Sequence, residues 1–151
     1  GLSTRVHWEL DVDKACIAPL IQQHHVMVLP YRESRKLSLL GQMRGTSGAL
    51  AWAIGCGRAV ITSDARAFAE EISQGNGLAY PQGDVGRLAQ ALHTLLTEPG
   101  RLQACTQAAA AVAQGRLWAR VGEHFASHFE RLSQARVAAG RPAPKPLRRP
   151  A

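Results

Sequence analysis

Residues 30–63 decide the fold, and they read PYRESRKLSLLGQMRGTSGALAWAIGCGRAVITS. An apolar run, VMVLP, ends at Pro30, and a second run, RAVITS, occupies residues 58–63. Both runs are short and rich in β-branched residues, which is typical of strands, and a proline ends the first cleanly. An Ala-rich helical pattern at residues 47–55 lies between them. The stretch therefore predicts a strand, a helix and a second strand, with the two strands parallel.

The same alternation continues on both sides of this stretch. Further strands are predicted over residues 5–10 and 77–80, and further helices over residues 13–23, 65–73, 84–96, 101–114 and 118–137. Pro19 either opens the main part of the first helix or kinks it. Asp84 is a suitable N-cap. We therefore predict an α/β fold, with a Rossmann-like parallel sheet and flanking helices.

The last predicted helix carries an apolar stripe. Its members recur every three or four residues and are Trp118, Val121, Phe125, Phe129 and Leu132. Stripes of this period are most often core, so we expect this one to pack onto the sheet. Binding in a groove of a partner protein is the alternative.

The composition fits one soluble domain. The chain has 151 residues, of which 46% are hydrophobic and 19% charged, enough to bury a core. Its longest apolar stretches fall far short of the roughly 20 residues of a membrane span. Cys16, Cys56 and Cys105 are widely spaced and are expected to be reduced core residues. Nothing resembles a leader, so the expected location is the cytoplasm.

The positive charge falls in two segments. Residues 31–48 carry +3 and residues 141–151 carry +4, which together give the net charge of +7. A pI near 10.2 first suggests nucleic acid, but no basic stripe with interleaved aromatics is present, so we predict no specific nucleic-acid partner. Residues 139–151 are predicted as a disordered basic Pro-rich tail after a domain of residues 1–138. Contact of this tail with RNA or with the acidic inner face of a membrane is the alternative.

The turn Gly45-Thr46-Ser47-Gly48 immediately precedes the Ala-rich helix. Amides at a helix start are unsatisfied and lie at the positive end of the dipole, and the glycines let a phosphate approach the backbone. Thr46 and Ser47 add hydroxyls, and Arg44 adds positive charge. The turn therefore predicts an anion site at the carboxyl end of a strand. Such a turn also caps helices without any ligand.

Three segments in order resemble a known family: VMVLPYRE, TSGALAWAIGCGRAVITSD and FAEEISQGNGLAYPQGDVGRLAQAL. Residues 6–129 are similar to the C-terminal half of the donor-binding domain of group-1 (glycogen-synthase-like) retaining glycosyltransferases, which have two Rossmann-like domains (GT-B). The resemblance implies a nucleotide-diphosphate sugar as donor substrate, with no metal and no cofactor. It also implies transfer with retention to a sugar, lipid or other acceptor, held by the missing N-terminal domain.

The resemblance also implies which residues bind the donor. The residues that match the turn meeting the diphosphate and sugar are Gly45, Thr46, Ser47 and Gly48. The residues that match the lining of the same cleft are Tyr31, Arg32 and Glu33. Arg44 would neutralise phosphate charge on the leaving nucleotide. The resemblance assigns no catalytic residue.

The sequence departs from the family at a pair of glutamates that many members carry around this turn. Arg44 and Trp52 stand at the corresponding positions. Ribose recognition and catalysis therefore lack their usual side chains. The alternative function is a non-catalytic nucleotide- or phosphate-binding or interaction remnant of such an enzyme.

Other polar pairs are weaker candidates. His124 and His128 are four residues apart on the last helix, but no third ligand accompanies them, so we predict a structural pair and no metal site. Glu70 and Glu71 are expected to face solvent, with a cleft-facing carboxylate as the alternative.

In the sheet order 3-2-1-4-5-6, residues 5–10 would be the third strand and residues 26–30 the fourth. The first two strands of the domain are then missing, so we expect a fragment with weak or no transferase activity alone. A transfer assay with radiolabelled donor checks this expectation, and turnover by the purified chain would contradict it.

Overall fold

The computed structural model describes residues 2–32, 47–65, 68 and 70–140. Its helices are α1 (Lys14–Gln22), α2 (Gly48–Gly55), α3 (Val85–Thr97), α4 (Pro99–Gly115) and α5 (Trp118–Ala138), and its strands are β1 (Val26–Leu29), β2 (Ala59–Ser63) and β3 (Gly77–Tyr80). The chain forms two compact units, Gly1–Ala113 and Gln114–Ala151. The boundary expected after residue 138 stays a prediction, and residues 141–151 of the tail lie outside the described part.

The three strands form one parallel sheet in the order β1-β2-β3. β1 pairs with β2 from Val26 opposite Ala59 to Leu29 opposite Thr62. β2 pairs with β3 from Val60 opposite Gly77 to Ser63 opposite Tyr80. The predicted α/β class, with a Rossmann-like parallel sheet and flanking helices, is confirmed.

Two apolar clusters cover the two faces of β2, whose five residues are all buried. Val60 packs on one face in a cluster with residues of α2, and Ala59 and Ile61 pack on the other face with Leu95 of α3. This alternation follows from the two-residue period of a strand. A parallel strand covered on both faces has a continuous apolar run, as AVI does at its start.

The ends of the helices are fixed by local residues. Asp13 caps α1 by accepting from the Ala15 amide, and Asp84 caps α3 by accepting from the Arg87 amide. The N-cap predicted at Asp84 is therefore confirmed. At the end of α2, Gly57 adopts a left-handed φ of 64°, which glycine does at little cost. Its amide and the Arg58 amide donate to carbonyls of the last turn, so α2 stops and the chain turns into β2.

Two expectations about elements are corrected. Residues 5–10 form no strand: Ser3–Arg5 is a short 3-10 helix and Trp8 is 82% exposed. A β-strand needs a neighbouring strand to which its backbone amides and carbonyls can hydrogen-bond. Residues 5–10 have no such neighbour in the described part of the chain, so their β propensity does not produce a strand. The helix predicted from residue 101 begins earlier, at Pro99, because a proline in the first turn lacks only an amide that has no helical partner. Of the two alternatives given for Pro19, the structure excludes the first, because Pro19 lies inside α1 and does not open it.

The helix expected over residues 65–73 is only partly described. Residues 66, 67 and 69 lie outside the described part, Phe68 is helical, and residues 70–76 form turns. Asn76 ends these turns with its side chain buried, and its Nδ2 donates to the Glu71 carbonyl at 3.1 Å. The segment before β3 therefore ends with a hydrogen bond from the Asn76 side chain and not with a regular helix end.

The apolar stripe of α5 is exposed, contrary to the expectation that it is core. Trp118 is 87% exposed and Phe125 and Phe129 are about 60% exposed. The apolar residues do share one face of the helix, as their spacing predicts. The spacing does not determine whether another element packs on that face. Within the described residues, no helix is long and apolar enough to cross a membrane.

Gly77 is required by the close approach of β3 to β2. A Cβ at this position would lie only 2.5 Å from the Val60 carbonyl oxygen. We expect Gly77→Ala to lower the free energy of unfolding by about 2 kcal/mol, because the two strands must separate to admit the methyl group. Urea unfolding followed by circular dichroism measures this change. Gly55→Ala is the control, since a Cβ there meets nothing within 4 Å. Equal stability of the two variants would contradict the prediction.

Candidate functional site

The carboxyl ends of the three parallel strands lie along one edge of the sheet. The residues that follow these ends are Tyr31 and Arg32 after β1, Asp64 after β2, and Gln82 and Gly83 after β3. The start of α2 comes to the same edge, because Tyr31 contacts Ser47 there. Open α/β sheets bind ligands at this edge, so the candidate site is built here.

Ser47 and Gly48 form the N-terminus of α2. The Ser47 Oγ accepts from the Leu50 amide at 3.2 Å, so this residue is the N-cap of the helix. The Ser47 carbonyl accepts the first helical bond, from the Ala51 amide. The amides of Gly48 and Ala49 precede that bond and have no partner within the helix. Gly48 is exposed, and a Cβ added to it would meet nothing within 4 Å of the described atoms.

Tyr31 joins the end of β1 to this helix start. Its hydroxyl lies 3.4 Å from the Ser47 Oγ, and its ring packs against Phe68 with the centroids 5.1 Å apart. Phe68 is buried in the core, whereas Tyr31 is half exposed. The core therefore holds the ring in place while the hydroxyl faces the helix start. Two predicted site residues, Tyr31 and Ser47, are thus brought together.

Arg32 lies at a different point of the same edge. A Cβ added to Gly83 would lie 3.0 Å from the Arg32 Nη2, so the guanidinium packs directly over the turn between β3 and α3. Asp84, the N-cap of α3, follows this turn directly. The predicted residues thus divide into the Tyr31–Ser47 contact and an Arg32 that packs on the β3–α3 turn.

Sequence reasoning missed the ends of the other two strands. The Oγ1 of Thr62 and the Oγ of Ser63 are buried without a hydrogen-bond partner among the described residues. The Asp64 carboxylate accepts from the Gln82 amide at 2.9 Å and so ties the end of β2 to the β3–α3 turn. The rule that placed the predicted anion site at the carboxyl end of a strand would have found these residues if it had been applied to β2 and β3 as well.

Four predicted site residues cannot be placed. Glu33, Arg44, Gly45 and Thr46 lie outside the described residues. Their predicted roles therefore stay predictions. Trp52 is half-buried in α2. It stands at a position where many members of the resembled family have a glutamate.

The histidine pair considered as a metal candidate, His124 and His128, lies in α5. Among residues 2–32, 47–65, 68 and 70–140, no three metal-ligating side chains come together. His128 instead lies 3.1 Å from an Arg131 nitrogen, and Glu123 pairs with Arg120 on the exposed face of α5.

The cysteines are free, but only Cys105 is buried as predicted. Burial raises the pKa of the Cys105 thiol, and nearby Arg101 offsets part of this rise. The thiol is thus a protonated core group. Cys16 is exposed and Cys56 is half-buried, so the expectation of core residues is wrong for Cys16.

Two grooves are formed by described residues, and neither lies at the carboxyl edge of the sheet. One, of about 260 Å³, runs along β1 and is lined by Leu20, His24 and Met27. The other, of about 660 Å³, lies in the C-terminal unit and is lined by Val121, His128 and other residues. None of the residues that line these two grooves belongs to the candidate site.

One family model, described as glycosyl transferases group 1, matches residues 1–98. The matched part contains the whole sheet, α2 and α3, and therefore every described residue of the candidate site. A search of curated proteins found no match.

The capping role of Ser47 can be measured apart from any ligand. We expect Ser47→Ala to lower the free energy of unfolding by about 1 kcal/mol, because the Leu50 amide loses its acceptor. Ser47→Asn should keep most of the stability, since asparagine caps equally well. Thermal and urea unfolding of both variants check this. The cap would have no energetic role if the alanine variant unfolded like the wild type.

Proposed function

Because the chain belongs to the glycosyl transferases of group 1, we propose that the carboxyl edge of its sheet binds a nucleotide-diphosphate sugar. The sugar is the donor in a transfer that retains the configuration at its anomeric carbon. One observation carries this proposal: Tyr31 and Ser47 meet at the start of α2, beside the amides of Gly48 and Ala49, which have no partner within the helix.

The helix start suits a diphosphate for electrostatic reasons. Its amides point out of the helix and lie at the positive end of the dipole. The Ser47 Oγ accepts from Leu50 but keeps its own proton to donate. Since Gly48 is exposed and has no Cβ, a phosphate oxygen can approach the backbone closely. These neutral donors favour an anion without a buried countercharge.

The proposed chemistry is the departure of the nucleotide. The bond from the anomeric carbon to the diphosphate oxygen breaks, and a bond from that carbon to an acceptor hydroxyl oxygen forms on the same face. Negative charge grows on the departing phosphate, where the α2 amides and Arg44 would stabilise it. The acceptor proton would pass to the leaving phosphate, so no side chain of this chain needs to act as an acid or base. The acceptor would be held by the other domain.

Arg32 would act on the far side of the donor. Its guanidinium packs over Gly83, and the N-terminus of α3 follows at Asp84. This position supports a contact with the sugar or with a phosphate oxygen that faces the β3–α3 turn. The turn is itself anchored by the Asp64 carboxylate, so Arg32 packs against an anchored turn.

A second function is favoured by one observation. Arg44 and Trp52 stand where many members of the resembled family carry two glutamates. A remnant that binds nucleotide or phosphate without catalysis, or that only binds a partner, would not need those carboxylates. Calorimetric titration with UDP-, GDP- and ADP-sugars separates these functions in part, because an interaction remnant should give no heat with any of them.

We propose that the basic tail takes part in binding a partner and not in catalysis. Residues 141–151 carry four positive charges and no acid. Such a segment supports a weak contact with the acidic inner face of a membrane, where a lipid acceptor would be found.

The start of α2 can be tested with a matched pair of variants. We expect Gly48→Asp to weaken binding of the best nucleotide sugar at least about tenfold, because its carboxylate repels the diphosphate at short range. Gly48→Asn has the same size without the charge and should bind much more tightly than the aspartate variant. Calorimetry gives both affinities. Helix content should be unchanged in both, since Asp and Asn are accepted in a first helical turn.

Equal affinity of the Asp and Asn variants would remove the α2 start from the diphosphate site. Loss of helix content in either variant would show a folding defect instead, and circular dichroism of each sample detects it.

A further inference from the structure

The C-terminal unit exposes an aromatic helix face. In α5, Trp118 is 87% exposed, Phe129 is 62% exposed and Leu132 is 55% exposed. Phe125 lies between them, and its ring stacks on that of Phe129 with the centroids 6.0 Å apart. Together with Val121, which is half-buried, these side chains recur every three or four residues and form one continuous stripe, which we call the α5 stripe. Exposed apolar surface of this extent is typical of a binding surface.

The same unit holds most of the net charge of the chain. Residues 114–151 contain eight Arg and Lys side chains and only two acids, Glu123 and Glu130, which gives +6 of the total +7. Residues 1–113 contain ten basic and nine acidic side chains and are nearly neutral. The apolar stripe and the positive charge are therefore concentrated in one segment.

The charges around α5 are arranged with respect to the stripe. At 3.6 residues per turn, Glu123 and Glu130 lie on the side of the helix roughly opposite the stripe. One flank of the stripe carries His128 and then Arg131, which contact each other. No acid of α5 adjoins the stripe, so nothing on this face repels an anionic surface.

We propose that α5 lies along the surface of an anionic lipid membrane, with the α5 stripe inserted between the headgroups. Amphipathic helices that expose Trp, Phe and Leu on one face bind membranes in this way, and positive charge nearby strengthens their binding to anionic lipids. The net charge of +6 matches an anionic surface and opposes association with a second copy, which would bring two such units together. The proposal is independent of the donor site and goes beyond the weak tail contact, because the aromatic stripe supplies the binding surface.

The test uses the full 151-residue chain with Trp8→Phe and Trp52→Phe, so that Trp118 is the one tryptophan left. With vesicles of phosphatidylcholine and phosphatidylglycerol, the Trp118 fluorescence should shift to the blue and the protein should sediment together with the vesicles. Vesicles of pure phosphatidylcholine should produce neither effect. Adding Phe125→Ser and Phe129→Ser should lower the partition coefficient at least about tenfold, because two aromatic rings are lost from the interface.

Two controls separate the stripe from other causes. Val6→Ser with Leu10→Ser removes exposed apolar side chains outside α5 and should leave partitioning unchanged. A chain ending at residue 140 lacks the tail charges; it should bind less tightly but remain sensitive to the two phenylalanine substitutions. Circular dichroism of each variant checks that α5 is still helical.

Three results would overturn the proposal. The first is no response of Trp118 to anionic vesicles. The second is equal partitioning of the phenylalanine double variant, which would assign binding to the tail charges. The third is a dimer in solution in which Trp118 is already shielded from a soluble quencher, which would assign the stripe to a second copy.

Discussion

Parallel pairing of β2 with a strand on each side is the constraint on which the rest of the N-terminal unit depends. All five residues of β2 are buried, so both faces of the sheet need apolar cover. Gly77 lets β3 approach β2 closely. Because all three strands run in the same direction, the segments that follow them emerge at one edge. The contacts of Tyr31, Arg32 and Asp64 are consequences of that geometry.

Capping and ligand binding at Ser47 are compatible. The cap uses a lone pair of the hydroxyl oxygen to accept from the Leu50 amide, and the hydroxyl proton stays available. The Tyr31 hydroxyl, 3.4 Å away, can donate to or accept from the same oxygen. An arriving phosphate oxygen could take the proton of either hydroxyl without breaking the cap. The observed cap therefore does not decide between a bare helix start and an anion site.

The sequence predicted the elements whose ends are set by neighbouring residues. Asp84 and Ser47 cap the helices expected after them, and the apolar runs before and after α2 are strands. The strand expected at residues 5–10 and the cover expected for the α5 stripe were wrong, because both depend on neighbours distant in the chain. The Arg32 contact with Gly83 is of the same kind, since the two residues are about fifty positions apart and no local pattern links them.

The two proposed binding surfaces rely on different electrostatics. The first 113 residues are nearly neutral in sum, although residues 31–48 carry +3. A diphosphate at α2 would be held by oriented amides and hydroxyls, whose effect is confined to the first turn, together with nearby charge such as that of Arg44. The C-terminal unit carries +6, a field that acts over about a Debye length and is screened by salt. The basic pI therefore reflects the C-terminal unit more than the first 113 residues. The absence of the two family glutamates can be judged in the same way. Amides can stabilise a departing phosphate without these carboxylates, so the loss of the glutamates should affect ribose recognition before phosphate binding.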